Sequence, residues 1–175
     1  MKVTIRDYRR RDFDTLWSID QQCFVAGISY SRMELWVYTR RQGAFTLVAE
    51  SAGEQGSSEQ AEDVRGLKTY PDQAKIVGFL VAEARRSKGH IITIDVLPQA
   101  RRFGVGSQLM STAESRLITS KCDSVVLETA VDNTSALSFY KRHQYFVCKT
   151  LPRYYSNGVD AFVLKKDLLT STSTS

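Results

Sequence analysis

The stretch from His90 to Met110, "HIITIDVLPQARRFGVGSQLM", constrains the fold more than any other part of this chain. An apolar, β-branched run ends at Pro98, which predicts a strand up to that point. Gly104 and Gly106 follow a basic pair, and an amphipathic helical pattern begins directly after them. The order strand, glycine loop and helix start is typical of a phosphate site, because the first N–H groups of a helix lack partners and carry the positive end of its dipole.

Three phosphate-binding patterns compete for this loop. A P-loop requires Gly-Lys-Ser/Thr after its glycines, whereas Ser107 and Gln108 follow Gly106 here. A dinucleotide-binding fingerprint requires a third glycine at the position that Leu109 occupies. What remains is the pattern basic-x-x-Gly-x-Gly, from Arg101 to Gly106, directly after a strand.

The chain has 175 residues, a length that suits one globular domain. We interpret residues 1–169 as that single domain and residues 170–175, a Thr/Ser repeat, as a disordered tail. Residues 51–73 are polar and poor in apolar side chains, so they predict a long loop inside the domain.

Alternating patterns predict the remaining elements of an α/β fold. Residues 2–8 predict a first strand, and residues 44–96 predict three strands in series with hairpin-like connections. The apolar run 124–129 follows a helix, so its strand is predicted to lie parallel to the one that ends at Val96. Two strands, "YFVCKT" and "DAFVLKK", close the fold. The candidate helix N-caps are Asp12, Ser31 and either Asp132 or Asn133.

The run from Ile92 to Met110 resembles the acyl-CoA signature of the GNAT superfamily of N-acetyltransferases. The segment 127–146 is similar to that family's strand, Asn-x-x-Ala helix and tyrosine, and the segment 152–168 resembles its C-terminal hairpin. Within the superfamily, the chain looks most like the ribosomal-protein-alanine branch, which acetylates protein N-termini. The resemblance implies a mixed, mostly antiparallel twisted sheet that is flanked by helices and splayed between two central parallel strands.

The resemblance also implies acetyl-CoA as the co-substrate. In the family, the loop amides bind the pyrophosphate of coenzyme A and the preceding strand hydrogen-bonds the pantetheine arm. This is physically reasonable, because the pantetheine arm has two amides and can lie along a strand edge like a short added strand. The implied cofactor residues are Ile94, Asp95, Val96, Arg101, Arg102, Phe103, Gly104, Val105, Gly106, Ser107, Asn133 and Tyr140.

Amide formation from a thioester requires a neutral amine, a polarised carbonyl and a proton for the leaving thiolate. By resemblance, Glu128 is the general base, directly or through a water, and Tyr140 is the acid that protonates the sulfur of coenzyme A. A backbone N–H near Val96 is the expected oxyanion donor. We expect direct attack by the amine, because Cys23, Cys122 and Cys148 have no basic partner in a recognisable motif.

The expected acceptor is the N-terminal α-amine of a protein or peptide, on an extended backbone. Phe24 and Tyr30 are predicted to form one wall of its groove. Tyr154 and Tyr155 precede a turn at Asn157, and because adjacent strand residues point to opposite faces, only one of the two tyrosines is expected to reach the groove. The alternatives are a small-molecule amine, a lysine side chain, or a catalytically silent acyl-CoA-binding module.

Composition restricts the other function classes. The net charge is +5, but the basic residues lie in scattered doublets and triplets, which argues against a nucleic-acid partner. His90 and His143 are interpreted as structural or surface residues, and neither has a second ligand at metal spacing, so no metal is expected. The chain has no apolar stretch of membrane-spanning length, and we expect a cytoplasmic protein without a membrane partner, as a monomer or homodimer.

One position departs from the family pattern. The tyrosine-bearing helix usually ends in Gly-Phe, where the glycine takes a left-handed conformation, and Gln144-Tyr145 stands here instead. We expect local strain or an altered turn at Gln144, without loss of the chemistry.

Overall fold

The computed structural model describes residues 1–51 and 75–169. The predicted polar loop, apart from Ser51, and the predicted tail lie outside the described residues. The strands are β1 (Val3–Asp7), β2 (Ala44–Ser51), β3 (Lys75–Arg85), β4 (Lys88–Val96), β5 (Ser124–Ala130), β6 (Phe146–Leu151) and β7 (Ala161–Asp167). The α-helices are α1 (Phe13–Cys23), α2 (Arg32–Tyr38), α3 (Val105–Thr119) and α4 (Thr134–Arg142), with short 3₁₀ turns at Arg10–Asp12 and Pro98–Ala100.

The strands form one mixed sheet in the order β1-β2-β3-β4-β5-β7-β6. All neighbouring pairs are antiparallel except β4 and β5, which are parallel as predicted. Their pairing in the described chain covers only Lys88–His90 against Ser124–Val126. Beyond His90 the two strands diverge, which confirms the predicted splay. The sheet thus opens at the carboxyl ends of β4 and β5.

The core lies between the sheet and the helices that cover it. On α3, one face is fully buried and carries Leu109, Met110, Ala113 and Leu117, as the helical spacing predicts. On α1, Leu16 and Ile19 are buried in the same way. No helix in the described residues is long and apolar enough to cross a membrane.

Two of the predicted helix caps form and one does not. Ser31 accepts from the Glu34 N–H at 3.2 Å, and the Glu34 carboxylate accepts from the Ser31 N–H at 2.8 Å, a capping box for α2. Asn133 caps α4 by accepting from the Ala136 N–H. Asp12 precedes α1 but makes no cap bond, because its buried carboxylate is occupied by the Arg6 guanidinium and the Arg9 N–H.

The end of α4 shows how the chain manages without the usual glycine. Gln144 adopts φ +67°, the left-handed conformation that a glycine normally supplies. The Tyr145 N–H donates to the Tyr140 carbonyl and the Gln144 N–H donates to that of Lys141, both at 3.0 Å. The turn is therefore a Schellman motif whose central residue carries a side chain.

Candidate active site

A cleft of about 1250 Å³ opens where β4 and β5 diverge. Its walls come from β4, β5, the first turn of α3, α4, and the loops that follow α1 and β6. Nearly all predicted site residues line it: Phe24, Tyr30, Ile94, Asp95, Val96, Arg101, Arg102, Gly104, Val105, Gly106, Ser107, Glu128, Asn133, Tyr140, Tyr154 and Tyr155. Phe103 is the exception. Its side chain lies outside the lining with 53% of its surface exposed, and its role as a cofactor residue stays a prediction.

The first turn of α3 forms one end of the cleft. Gly104 is the N-cap with φ +79°, and the first intrahelical bond runs from the Gln108 N–H to the Gly104 carbonyl. The amides from Gly104 to Ser107 therefore precede the helical hydrogen-bond ladder and suit an anion. A Cβ on Gly106 would lie 3.3 Å from the Phe139 ring, so a side chain there would crowd α4.

Arginine side chains at this end have different tasks. The Arg101 Nε–H donates to the Val96 carbonyl at 2.9 Å, so it braces the end of β4. Arg102 adopts φ +66°, a left-handed turn that leads into the α3 N-cap. Arg142, which sequence reasoning did not select, also lines the cleft from the end of α4.

The end of β4 offers a free edge to the cleft. Ile94, Asp95 and Val96 are in register with Leu80, Phe79 and Gly78 of β3, while the β5 side is open beyond His90. A register shift near Val81 places Ile92 in a bulge, where its carbonyl accepts from the Tyr30 hydroxyl at 3.2 Å. An extended ligand with amide groups can pair along such an edge.

Asp95 is a charged residue type in an unusual position. Its side chain is buried, one carboxyl oxygen accepts from the Thr93 hydroxyl at 2.8 Å, and the other has no partner. Burial raises the pKa of Asp95 well above its ordinary value, and the nearby Asp20 carboxyl acts in the same direction. Burial likewise raises the pKa of Asp20 to about 6, and this carboxyl also has one oxygen without a partner.

Glu128 projects from β5 next to a histidine. The distance from His90 Nε2 to Glu128 Oε2 is 2.7 Å, and His90 Nδ1 lies 3.8 Å from the buried carboxylate of Glu83. Burial alone would lower the pKa of His90, but the hydrogen bond and charge of Glu128, with the charge of Glu83, together raise it. The imidazole therefore stands between two carboxylates that both favour its charged form.

Sequence reasoning missed this role of His90. The available signal was the separation of Glu83 and His90 by a short hairpin, which makes them cross-strand partners on one face of the sheet. The parallel register with β5 adds Glu128 two residues beyond Val126, the partner of His90. That register could not be read from the sequence.

Tyr140 approaches the cleft from α4. Its side chain is 7% exposed, and burial raises its pKa above the ordinary value, followed by the charge of Asp95. The phenol therefore keeps its proton at neutral pH, as an acid must before it acts. Tyr140 and Glu128 lie on the same cleft but on different elements, α4 and β5.

Two loops meet at the other end of the cleft. The Ser156 hydroxyl donates to the Gly27 carbonyl at 3.0 Å, which joins the loop after β6 to the loop after α1. Tyr154 and Tyr155 both line the cleft with their rings edge to face, 5.0 Å between centroids. The prediction that only one could reach it is wrong, because both residues lie in the loop outside the strand, where side chains do not alternate.

Tyr30 completes this wall in a fixed orientation. Its N–H donates to the Asp20 carboxylate at 2.9 Å, and its ring packs edge to face against Tyr38. Phe24 follows α1 directly and also lines the cleft. This end of the cleft is thus mostly aromatic.

Of the three cysteines, Cys23 alone lines the cleft. Its thiol donates to the Val96 carbonyl at 3.4 Å, and burial raises its pKa to about 11. Cys122 is buried and Cys148 lies on the exposed strand β6. Among the described residues, no cluster of His, Cys, Asp and Glu side chains is arranged to hold a metal ion.

Known proteins with similar sequences carry acetyltransferase names. Human N-alpha-acetyltransferase 30 is 42% identical over 78 residues, which make up 45% of this chain and 22% of that protein. N-alpha-acetyltransferase MAK3 of Arabidopsis thaliana is 35% identical over 97 residues, 53% of this chain and 51% of that protein. The chain spans at most 60% of the length of these and the other curated relatives that we compared.

Solved structures extend the likeness to the whole fold. Ard1 from Thermoplasma volcanium superposes with a TM-score of 0.76 at 25% identity, over 97% of this chain and 100% of that one. The Escherichia coli ribosomal-protein-S18-alanine N-acetyltransferase shares the fold at a TM-score of 0.73 and 15% identity, over 99% of both chains. The sequence itself matches the Acetyltransferase (GNAT) family over residues 13–145, which confirms the predicted resemblance. The chain belongs to the GNAT acetyltransferase family.

Proposed function

We propose that this protein transfers an acetyl group from acetyl-CoA to the N-terminal α-amine of a protein or peptide. The observation that carries the proposal is the placement of Glu128 and Tyr140 on one cleft that also has a helix N-terminus and a free strand edge. An acidic and a basic group therefore meet where a long, amide-bearing thioester can lie.

The first half of the proposed reaction makes the nucleophile. Glu128 accepts a proton from the acceptor ammonium, directly or through a water, and the neutral amine attacks the thioester carbonyl carbon. An α-amine has an ordinary pKa near 8, so a carboxylate base is sufficient at neutral pH. His90 donates to Glu128 from behind and holds the carboxylate in one orientation.

The second half releases the thiol. The carbon–sulfur bond breaks as the new amide forms, and the Tyr140 hydroxyl donates its proton to the leaving sulfur. The amide nitrogen releases its second proton to solvent, and solvent returns a proton to the Tyr140 phenolate. Acetyl-CoA supplies the acetyl group as a thioester, and the amides from Gly104 to Ser107 are proposed to hold its pyrophosphate. The Val96 N–H remains our proposed oxyanion donor.

The aromatic end of the cleft supports an α-amine acceptor. Phe24, Tyr30, Tyr154 and Tyr155 form walls suited to an extended chain, and the bond between Ser156 and Gly27 ties together the two loops that carry these four residues. A lysine amine, with an ordinary pKa near 10.4, would require more of the base. Relatives named N-alpha-acetyltransferases support the same acceptor class.

The test is a pair of matched peptides that begin with a small residue and contain one internal lysine. One peptide has a free α-amine and the other an acetylated one, and thiol release from acetyl-CoA is followed with each. We expect turnover with the free peptide only, with the acetyl group on the α-amine by mass spectrometry. Faster turnover of the blocked peptide, or of a polyamine, would refute the N-terminal acceptor and leave acetyl transfer standing.

A further inference from the structure

The hydroxyl of Ser107 connects the anion-binding end of the cleft to a histidine outside the cleft lining. Ser107 lies in the first turn of α3, and its Oγ is 2.9 Å from Nε2 of His143, the residue after α4. The imidazole also packs on Phe139 with 4.5 Å between ring centroids, and Phe139 in turn lies over Gly106. The imidazole is therefore fixed against the first turn of α3.

We propose that His143 is a binding residue for the phosphate groups of the acyl donor, acting through Ser107, so that donor binding takes up a proton. This inference rests on the proposed function, because it concerns the same acyl-CoA site. It assigns a task to a side chain that the transfer reaction itself does not use.

The donors and acceptors of Ser107 and His143 explain how phosphate binding is coupled to protonation of the imidazole. A serine hydroxyl has one proton, and an imidazole nitrogen either donates or accepts. When Nε2 of His143 is unprotonated, it accepts the Ser107 proton, and only lone pairs of Oγ face a phosphate. When Nε2 is protonated, it donates to Oγ, and the Ser107 proton is free to donate to a phosphate oxygen. The bond favours a proton on Nε2 of His143, which the neutral Nε2–H tautomer also supplies. The charge of the phosphate adds to this, because it favours the doubly protonated imidazolium, and this charge effect drives the proton uptake.

The charges around His143 leave its imidazole able to gain a proton when a ligand binds. Burial lowers the pKa of His143, and Lys166 on β7 and Arg142 on α4 act in the same direction, while Glu114 on α3 opposes them. Glu114 and Lys166 pair with each other at 2.6 Å, so their charges partly cancel at His143. Without ligand the pKa of His143 therefore lies below its ordinary value, and the charge of a bound polyanion acts against that lowering.

The chain has two histidines, so the test can be done on the unmodified protein. The imidazole C–H proton signals are followed by NMR between pH 5 and 8.5, with and without dephospho-CoA. That ligand keeps the pyrophosphate and lacks the 3′-phosphate, which would itself titrate near pH 6. We expect the ligand to raise the pKa of His143 by about one unit, which is about tenfold tighter binding at low pH than at high pH. His90 is the internal reference and should shift little.

Two variants complete the test. His143→Gln assigns the signals and should bind dephospho-CoA with the same affinity at pH 6 and pH 8.5, and Ser107→Ala should reduce the shift of His143. If dephospho-CoA binds but the pKa of His143 stays in place, the inference is refuted and the proposed function stands. If neither dephospho-CoA nor acetyl-CoA binds at any pH, both are refuted.

Discussion

The two ends of the cleft are built in opposite ways. The end that we propose for the acyl donor, called the donor end, consists of main-chain groups from one continuous segment, the end of β4 and the first turn of α3, within residues 94–107. The end that we propose for the amine, called the acceptor end, is lined by side chains from segments far apart in sequence, among them Phe24, Glu128 and Tyr155. Main-chain N–H groups can hold a phosphate whatever the side chains are, whereas the walls of an acceptor groove depend on the side chains that form them.

The largest expected effect comes from removing the proposed base, Glu128, which should slow the reaction without weakening binding at the donor end. Glu128→Gln keeps the side-chain shape but cannot accept a proton at neutral pH, so kcat should fall by roughly 10²- to 10⁴-fold. Stabilisation by acetyl-CoA should stay unchanged, because the donor end is intact. The deficit should shrink as pH rises above about 8, where the α-amine loses its proton unaided. Steady-state rates from pH 6.5 to 9.5 measure this.

Tyr140→Phe is the matched comparison for that experiment. It removes the proposed acid, so its rate deficit should persist at high pH. Wild-type turnover of Glu128→Gln at pH 7 would show that another group or bulk water is the base, and recovery of Tyr140→Phe at high pH would contradict its role as acid.

The reverse experiment disables the donor end. Acetyl-CoA at a hundredfold excess over its Kd should stabilise the native protein by about 2.7 kcal/mol. Gly106→Val should remove most of this stabilisation, because a Cβ would lie 3.3 Å from the Phe139 ring and crowd the amides of the first turn. Thermal unfolding with and without acetyl-CoA measures it. Ser111→Val, at an exposed position of the same helix, should keep the full ligand effect.

The donor end was also the part that the sequence predicted best. Gly104 and Gly106 mark a backbone conformation directly, so the residue pattern alone places the loop at the start of α3. The exposure of the Phe103 side chain could not be predicted, because a continuous motif does not say which side chains turn outward. The splay followed from the family resemblance, since no local pattern states where two neighbouring strands diverge.

The acceptor end was less predictable for a physical reason. His90 and Glu128 are 38 residues apart in the chain, and their contact depends on the register of two parallel strands. The positions of Tyr154 and Tyr155 depend on where β6 ends. Both residues follow that end, so the alternation of side chains in a strand does not apply to them. Long-range register and loop conformation are set by packing of the whole domain, and a single sequence leaves them open.

Asp95 lies at the border of the two ends of the cleft. Its substitution should change the stability of the fold more than it changes donor binding or the transfer reaction. Since its folded pKa is raised, the folded state holds more protons than the unfolded state above about pH 4, and stability falls as pH rises. Asp95→Asn cannot ionise, so it removes the cost of burying a charge beside the Asp20 carboxyl. We expect it to match the native protein near pH 4 and to exceed it by roughly 1–2 kcal/mol at pH 8.

Urea unfolding at pH 4 and pH 8 tests this sign. Asp132→Asn, at an exposed position on the same cleft, is the control and should change stability little at either pH. A native protein that becomes more stable from pH 4 to pH 8 relative to Asp95→Asn would contradict the raised pKa of the buried carboxyl.

The smallest expected effect lies outside both ends of the cleft, at the turn after α4. Gln144 holds φ +67°, which costs a residue with a Cβ about 1–2 kcal/mol, while glycine loses more chain entropy on folding. Gln144→Gly should therefore stabilise the fold by about 0.5–1 kcal/mol, a rise in Tm of roughly 1–4 °C, with kcat unchanged. Lys141→Gly, one turn earlier on the exposed side of α4, should destabilise by about 1 kcal/mol, because glycine there only weakens the helix. If both substitutions lower Tm, the turn is not strained, and Gln144 contributes a contact of its own.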